Sequence, residues 1–427
     1  MLNDEGQPRC TFISNLRIQL TSGMFSRGAF SYIIAFGGVG VSSFAFHIIV
    51  AKILHPSHYG VMGALLSIIS LLSVPLSAVQ IAVTQAVIDK ENQGQSFSIL
   101  QVTLRSLGGG LLAMLALAMC APLIDNFLHI NSPSPIFLVA AWIPLATVSS
   151  VLQGALVGEF RFRPVAFATF AGIGVVRLVL GAIMVEAGLG VSGAVSAMIF
   201  AQAFTMLSLL FSARHELFGH RDAPVVRTKM RDTTLSVAAL SGYTALTGID
   251  TFLARHFFAP TLAGQYAAVA VVAHITFVIP AAIVTVTFPH LVEGKGISES
   301  SRRIFRQSLQ FSLILGVASA IVMTLYPKLV IAMIFGSGYS GASGVLGVLA
   351  FASAAVGVTI LYVYLHLARR SIIALTPWIG VVLSILAVYL DHGSAIAIGV
   401  VMFVVSLATM ALAIIPIVTG HIRNQAN

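Results

Sequence analysis

Three ionisable residues lie inside long apolar runs: Arg177 in GIGVVRLVLGA, Asp250 in LTGIDTFLARHF and His274 in AVVAHITFV. An ionisable group at membrane depth is costly and marks either a pathway or a structural pair. A guanidinium can grip phosphate through two parallel hydrogen bonds, so Arg177 reads as an anion site. The competing reading is an ion pair with a carboxylate, Asp250 above all. Asp250 itself offers a cation or proton site, unless Arg255, five residues on, neutralises it. His274 suits either a proton relay or a hydrogen-bonded helix contact. Gln80, Gln85 and Gln153 suit interhelical hydrogen bonds, and Gln153 is also a candidate for a cavity wall.

Other patterns carry less chemistry. His55 and His58 form an HxxH in a Pro-containing loop without an acidic neighbour, whereas zinc needs three or four convergent ligands, so no metal site is expected. No phosphate-cradling GxxxxGK[ST] loop is present, so the chain is not expected to hydrolyse nucleotide or to hold a cofactor. The loops assigned below to the outside carry few acids beyond Asp125, Glu186 and Asp391. A membrane glycosyltransferase or ligase would need clustered carboxylates there, so the chain reads as a non-enzyme.

These residues must be positioned by membrane helices. Of 427 residues, 58% are hydrophobic and only 9% charged, too few charges for a water-soluble surface. Two cysteines exclude a disulfide scaffold. The net charge of +9 would suggest nucleic acid in a soluble protein; here basic residues gather at cytoplasmic helix ends instead. A spanning helix needs about 20 apolar residues. Twelve are read, at 28–54, 61–88, 102–124, 135–158, 165–187, 191–213, 233–257, 262–289, 304–326, 343–367, 371–390 and 394–417. The first run starts too late and continues too long for a signal peptide. Phe12, Leu16, Leu20 and Met24, at i, i+4 spacing, suggest an interfacial amphipathic helix within a tail of residues 1–27. Nineteen Lys and Arg fall on the side of the termini and three (Lys52, Arg255, Lys328) on the other, which predicts both termini in the cytoplasm of a cell-membrane protein. The expected units are a lobe over 28–213, a basic linker over 214–232, a second lobe over 233–417 and a tail over 418–427.

A weak repeat supports the two lobes. Ala51-Lys52, Pro56, Gly60 and Pro75 recur as Ala254-Arg255, Pro260, Gly264 and Pro280, at an offset of about 204 residues. The loop Pro and helix-start Gly read as one reverse turn used twice, and each helix Pro invites a kink. Copies separated by six spans are parallel, a transporter plan with the substrate site between the halves.

Four stretches resemble the polysaccharide-transporter branch of the multidrug/oligosaccharidyl-lipid/polysaccharide exporter superfamily: AKILHPSHYGVMGALLSIISLLSVPLS, the run from VLQGALVGEFRFRP to VSGAVSA, IDTFLARHFFAPTLAGQYAAVAVVAHITFVIPAAIVTVTFPHLVE, and FGSGYSGASGVLGVLAFASA. The resemblance implies an all-α fold of two six-helix lobes in a V around a central cavity. It also implies a flippase that moves a polyprenyl-diphosphate-linked oligosaccharide from the inner to the outer leaflet for O-antigen, capsule, exopolysaccharide or wall glycan. Arg177 and Asp250 match positions of that pattern and become cavity candidates. Glycosyltransferases and a polymerase of the same pathway become possible partners beside the membrane lipids. Arg161 and Arg163 would gather the headgroup at the inner mouth, or anchor the lobe to the inner surface. Cation-coupled multidrug relatives often carry an acid in the first helix, which this chain lacks. The alternatives are a drug or small-metabolite exporter of the same fold, a peptidoglycan-precursor flippase and, less well supported, a glycan polymerase or ligase.

Overall fold

The computed structural model describes residues 27–93, 98–214, 230–292 and 299–418. The amphipathic N-terminal segment, most of the linker and the C-terminal tail lie outside the described residues. Within them the chain is helical, without a β-strand. Twelve long helices follow in order: α1 Arg27–Ile53, α2 Pro56–Gln93, α3 Ile99–Leu128, α4 Ser134–Gly158, α5 from Phe162 to Leu189 in four pieces, and α6 Gly190–Ser212. The second half has α7 Met230–Phe257, α8 Pro260–Val292, α9 Glu299–Leu325, α10 Leu346–Ala368, α11 Thr376–Leu390 and α12 Ala395–Val418. Ten segments are long and apolar enough to cross a membrane. One of them, Phe162–Ser212, reverses where Gly188 and Gly190 take φ of 86° and 55°, and so crosses twice. The 33-residue α8 supplies the twelfth crossing. The chain is therefore a multi-pass membrane protein, with the start of α1 and the end of α12 on one face. The other is called here the turn face, after the α1–α2 turn.

Lipid gives helices no hydrophobic reason to associate, so close approach of small residues does much of that work. In the first half, Gly110 lies on Thr147, Gly154 on the Gln80 carbonyl and Gly172 on Thr205. Contacts tie α2 and α3 to α4, α4 to α6, and α1 and α6 to α5. In the second half α8 packs on α10, α10 on α9 and α12, and α7 on α11. The two groups meet chiefly through α2, which lies against α7 and α8.

The repeat glycines lie on that seam. A Cβ on Gly60 would stand 2.9 Å from the Gly264 nitrogen and 3.1 Å from its Cα, and one on Gly264 would overlap the Pro56 carbonyl. Gly63 faces Ala267 and Thr251, and Ser67 faces Gly248. The repeated Gly is thus a point of backbone contact between the halves, beyond the turn-forming role its position suggested. Further along, α2 loses cover: Tyr59 to Leu65 are buried, whereas Leu71 and Ile81 are 37% and 54% exposed. The halves touch at the turn face and part toward the opposite one, enclosing a central cleft that opens away from the turns.

Gly264→Val should overpack this seam at a cost of ~1–3 kcal/mol. Spin labels on His58→Cys and Thr261→Cys, both exposed beside the seam, should then report a longer separation than without the valine. An unchanged separation would mean that the glycine contact does not set the closure.

Candidate functional site

Arg177 owes its position to a defect in α5. The helix widens to π geometry over Phe170–Val176, and the Arg177 amide bonds back five residues to the Gly172 carbonyl. Such bulges are frequent at functional sites. The bare Gly172 lets Thr205 of α6 come in, its hydroxyl bonding the Ala201 carbonyl at 2.9 Å and reaching the Ala168 carbonyl at 3.3 Å. The Arg177 side chain turns onto α1. It donates through one Nη to Ser43 Oγ and lies 5.2 Å from the centre of the Phe46 ring. Its Nε is buried without a hydrogen-bond partner among the described residues. No ion pair joins it to Asp250.

Asp250 sits in the other half, 2% exposed. Its carboxylate accepts from Tyr266 at 3.3 Å and Thr251 at 3.4 Å. Arg255 does not neutralise it, because that guanidinium points away, to the end of α3. Asp250 instead opens on a small cavity with Thr247 of its own helix, His274 of α8, Ser353 of α10, and Met402 and Ser406 of α12. The Ser406 hydroxyl is buried without a hydrogen-bond partner. A carboxylate, an imidazole and three hydroxyls around one hollow offer oxygen ligands for a small cation or a proton shared between Asp250 and His274.

Two residues that sequence reasoning passed over link these places. His47, on α1, bonds through Nδ1 to the hydroxyl of Tyr59 at 2.9 Å. It lies within electrostatic range of both Arg177 and His274, and His274 lies within range of Asp250. Arg177, His47, His274 and Asp250 are therefore linked electrostatically in successive pairs from α5 to α7. Ser43 and His47 at i, i+4 were the signal for this face of α1. The other candidates lie apart. Arg161 donates to the Ser212 carbonyl at 2.9 Å and pairs with Glu159 at 3.6 Å. Arg163 is exposed at the same end, and Gln153 is half-buried five residues from the end of α4.

The turn face is closed by hydrogen bonds of one direction. Arg255 donates to the carbonyls of Leu128 at 2.9 Å and His129 at 2.8 Å. The ring N–H of His256 donates to the Phe127 carbonyl at 2.6 Å. Tyr339, in a short 3₁₀ stretch over Ser337–Val345, points its hydroxyl at the carbonyls of Ala51 at 2.6 Å and Leu54 at 3.0 Å. Helix C-termini leave carbonyls unsatisfied and carry partial negative charge. The second half thus caps the ends of α1 and α3 of the first.

The chain is similar to a multidrug-resistance MATE-family transporter of the MOP superfamily in an inward-facing conformation (16% identity, 97% of this chain and 98% of that one, TM-score 0.72). It is similar to the lipid II flippase MurJ in an inward closed conformation (10% identity, 90% and 87%, TM-score 0.68). Against an outward-facing MATE transporter of the superfamily the TM-score is 0.58, at 17% identity over 93% and 94% of the two chains. The fold is that of the MOP superfamily, two six-helix lobes around a cleft. Within it the model of a family described as polysaccharide biosynthesis protein matches residues 49–344, and the chain belongs to that family. No curated protein sequence matches it.

Tyr339→Phe removes the one O–H that the carbonyls of Ala51 and Leu54 share, a loss of about 0.5–1.5 kcal/mol. The open population at the turn face should rise roughly two- to tenfold, read as faster maleimide labelling of a cysteine placed at Ala51. Labelling no faster than in the parent would show that the hydroxyl does not hold the closure.

Proposed function

We propose that the protein flips a polyprenyl-diphosphate-linked oligosaccharide across the cell membrane by rocking of its two lobes, serving the synthesis of a surface glycan. The proposed lobes are residues 28–213 and 233–417, joined by the basic segment 214–232, and the proposed topology has both termini in the cytoplasm. The observation that carries the reading is Arg177: a guanidinium at mid-depth of a chain belonging to a polysaccharide biosynthesis family, with one donor free of protein partners. A sugar diphosphate is too polar to cross hydrocarbon unaided. It would enter the cleft from the cytoplasm while its lipid tail stays in the bilayer, and Arg177 would hold the diphosphate.

With the termini inside, the closed turn face is the outer one, so the cleft faces the side on which the lipid-linked sugar is made. The higher score against an inward-facing relative agrees with this direction. Arg163 remains available to gather headgroups at the inner mouth. Arg161, spent on Ser212 and Glu159, serves to hold α5 against α6. Asp250 and His274 are the candidates for a coupling cation or proton in the second lobe, and Gln153 for a cleft-wall contact. A negative interior of ~100 mV favours outward movement of each negative charge by about 2.3 kcal/mol. Glycosyltransferases and a polymerase would supply and consume the carried lipid.

Arg177→Glu and Arg177→Ala should abolish glycan export while the protein still inserts, and Arg177→Lys should keep part of the activity because two-pronged binding is lost. Surface glycan is the readout, with lipid-linked sugar accumulating on the inner leaflet. Normal glycan in the Arg177→Glu strain would refute the anion site. Toxin sensitivity without a glycan defect in a deletion strain would select a drug exporter, and lysis a peptidoglycan-precursor flippase.

A second outcome concerns coupling. Asp250→Asn should reduce export at least tenfold if a cation or proton must load there; export at the parental rate would leave the membrane potential as the drive.

A further inference from the structure

A diphosphate joining a lipid to a sugar carries two negative charges, and a low-dielectric cleft has to balance both. Arg177 balances one. Among the other cations near the cleft, Arg255 is held at the closed turn face by the carbonyls of Leu128 and His129, with its second Nη buried there without a partner among the described residues, and Lys52 is exposed at the same face. Arg161 is bound at the opposite end. The group placed to supply the second charge is His47. Ser43, which Arg177 bonds, and His47 lie one helical turn apart on the same face of α1, and Phe46 beside them carries the guanidinium. The fully buried Tyr59 hydroxyl holds the imidazole through Nδ1, leaving Nε2 without a hydrogen-bond partner among the described residues.

We infer that His47 completes the anion site by taking up a proton from solution when a diphosphate binds beside Arg177, so that the substrate travels with a proton. The inference rests on the flippase reading above. With the neutral imidazole donating its Nδ1–H to the Tyr59 oxygen, the incoming proton adds to Nε2, and no other bond changes. The charged and titratable groups facing His47 are Arg177 from α5, Tyr59 from α2 and His274 from α8. Arg163 and Glu186 on α5 and Lys52 on its own helix are exposed. His274 is set apart from this task because it lines the cavity of Asp250 in the second half. Two phosphates beside Arg177 would stabilise positive charge at His47, one helical turn from the Ser43 that the guanidinium bonds. Binding and protonation then favour each other, and affinity for the diphosphate must fall as pH rises, by up to tenfold per pH unit.

The test is calorimetry on the purified full-length protein with a farnesyl-diphosphate-glucose diester. Both of its phosphates keep one charge each from pH 5 to 9, so any proton taken up belongs to the protein. Titrations in two buffers of different ionisation enthalpy should give uptake of roughly one proton per ligand. In His47→Gln uptake should fall close to zero with roughly tenfold weaker binding. In His47→Lys, with a fixed charge, binding should return without uptake. The pH dependence of wild-type affinity checks the same claim without a variant. Parental uptake in His47→Gln, or wild-type affinity independent of pH, would overturn the inference while leaving the diphosphate site standing, provided Arg177→Gln weakens binding. No binding to the wild type, or equal binding to Arg177→Gln, would remove the flippase reading and this inference together.

Discussion

Two helices can touch backbone to backbone only where neither carries a side chain, and that contact between Gly60 and Gly264 organises the molecule. It draws α2 and α8 together at the turn face and fixes a hinge line between the halves. From that line the helices diverge, so the cleft widens toward the opposite face. The same contact brings α1 close enough to α8 for His47 to feel His274. It also brings the end of α7 onto the end of α3, where Arg255 finds the carbonyls of Leu128 and His129. Larger residues at the seam would loosen the cap, the linked charges and the shape of the cleft together.

The polar groups are divided unequally across this line. The first half holds the guanidinium and an imidazole, both able to carry positive charge, and the second holds the carboxylate. Neither Arg177 nor Asp250 is within ion-pair distance of an opposite charge. Burial without a partner is expensive, and the cost is tolerable only where another species completes the charge for part of the cycle. In the proposed mechanism that species is an anion on the first side and a cation or proton on the second. A direct Arg177–Asp250 pair would have fastened the lobes by their charges and left nothing for a substrate to neutralise.

Much of this was legible in the sequence because membrane physics is simple to read. Twenty apolar residues make a crossing, and all twelve spans were found, with ends displaced by a few residues where amphipathic turns continue a helix beyond the apolar run, as in α2 to Gln93. The repeated Pro and Gly announced two halves. What stayed hidden depended on direction. The sequence places Arg255 five residues from Asp250, but on a helix five residues is nearly one and a half turns, so the two side chains leave on different faces. Gly60 reads as a turn residue until its partner at Gly264 is seen. His47 was one of twelve scattered histidines, and only the packing of α1 against α5 shows that it shares a face with the arginine.

Magnitudes decide how such a machine can work. Four donor protons, one of them shared between the carbonyls of Ala51 and Leu54, cap the turn face, and at about 0.5–1.5 kcal/mol net for each, closure is held by roughly 2–6 kcal/mol. In the proposed orientation, a diphosphate carrying one proton has a net charge of minus one and gains about 2.3 kcal/mol from ~100 mV on moving outward. The potential therefore biases the turn face without forcing it open. A ligand shifts a conformational equilibrium only by the difference in its affinity for the two states. The remaining free energy must come from contacts that the glycan and its lipid make better with the turn face open than with it closed. In the proposed cycle an empty cleft has neither term, so the turn face stays shut and the bilayer sealed when no substrate is bound.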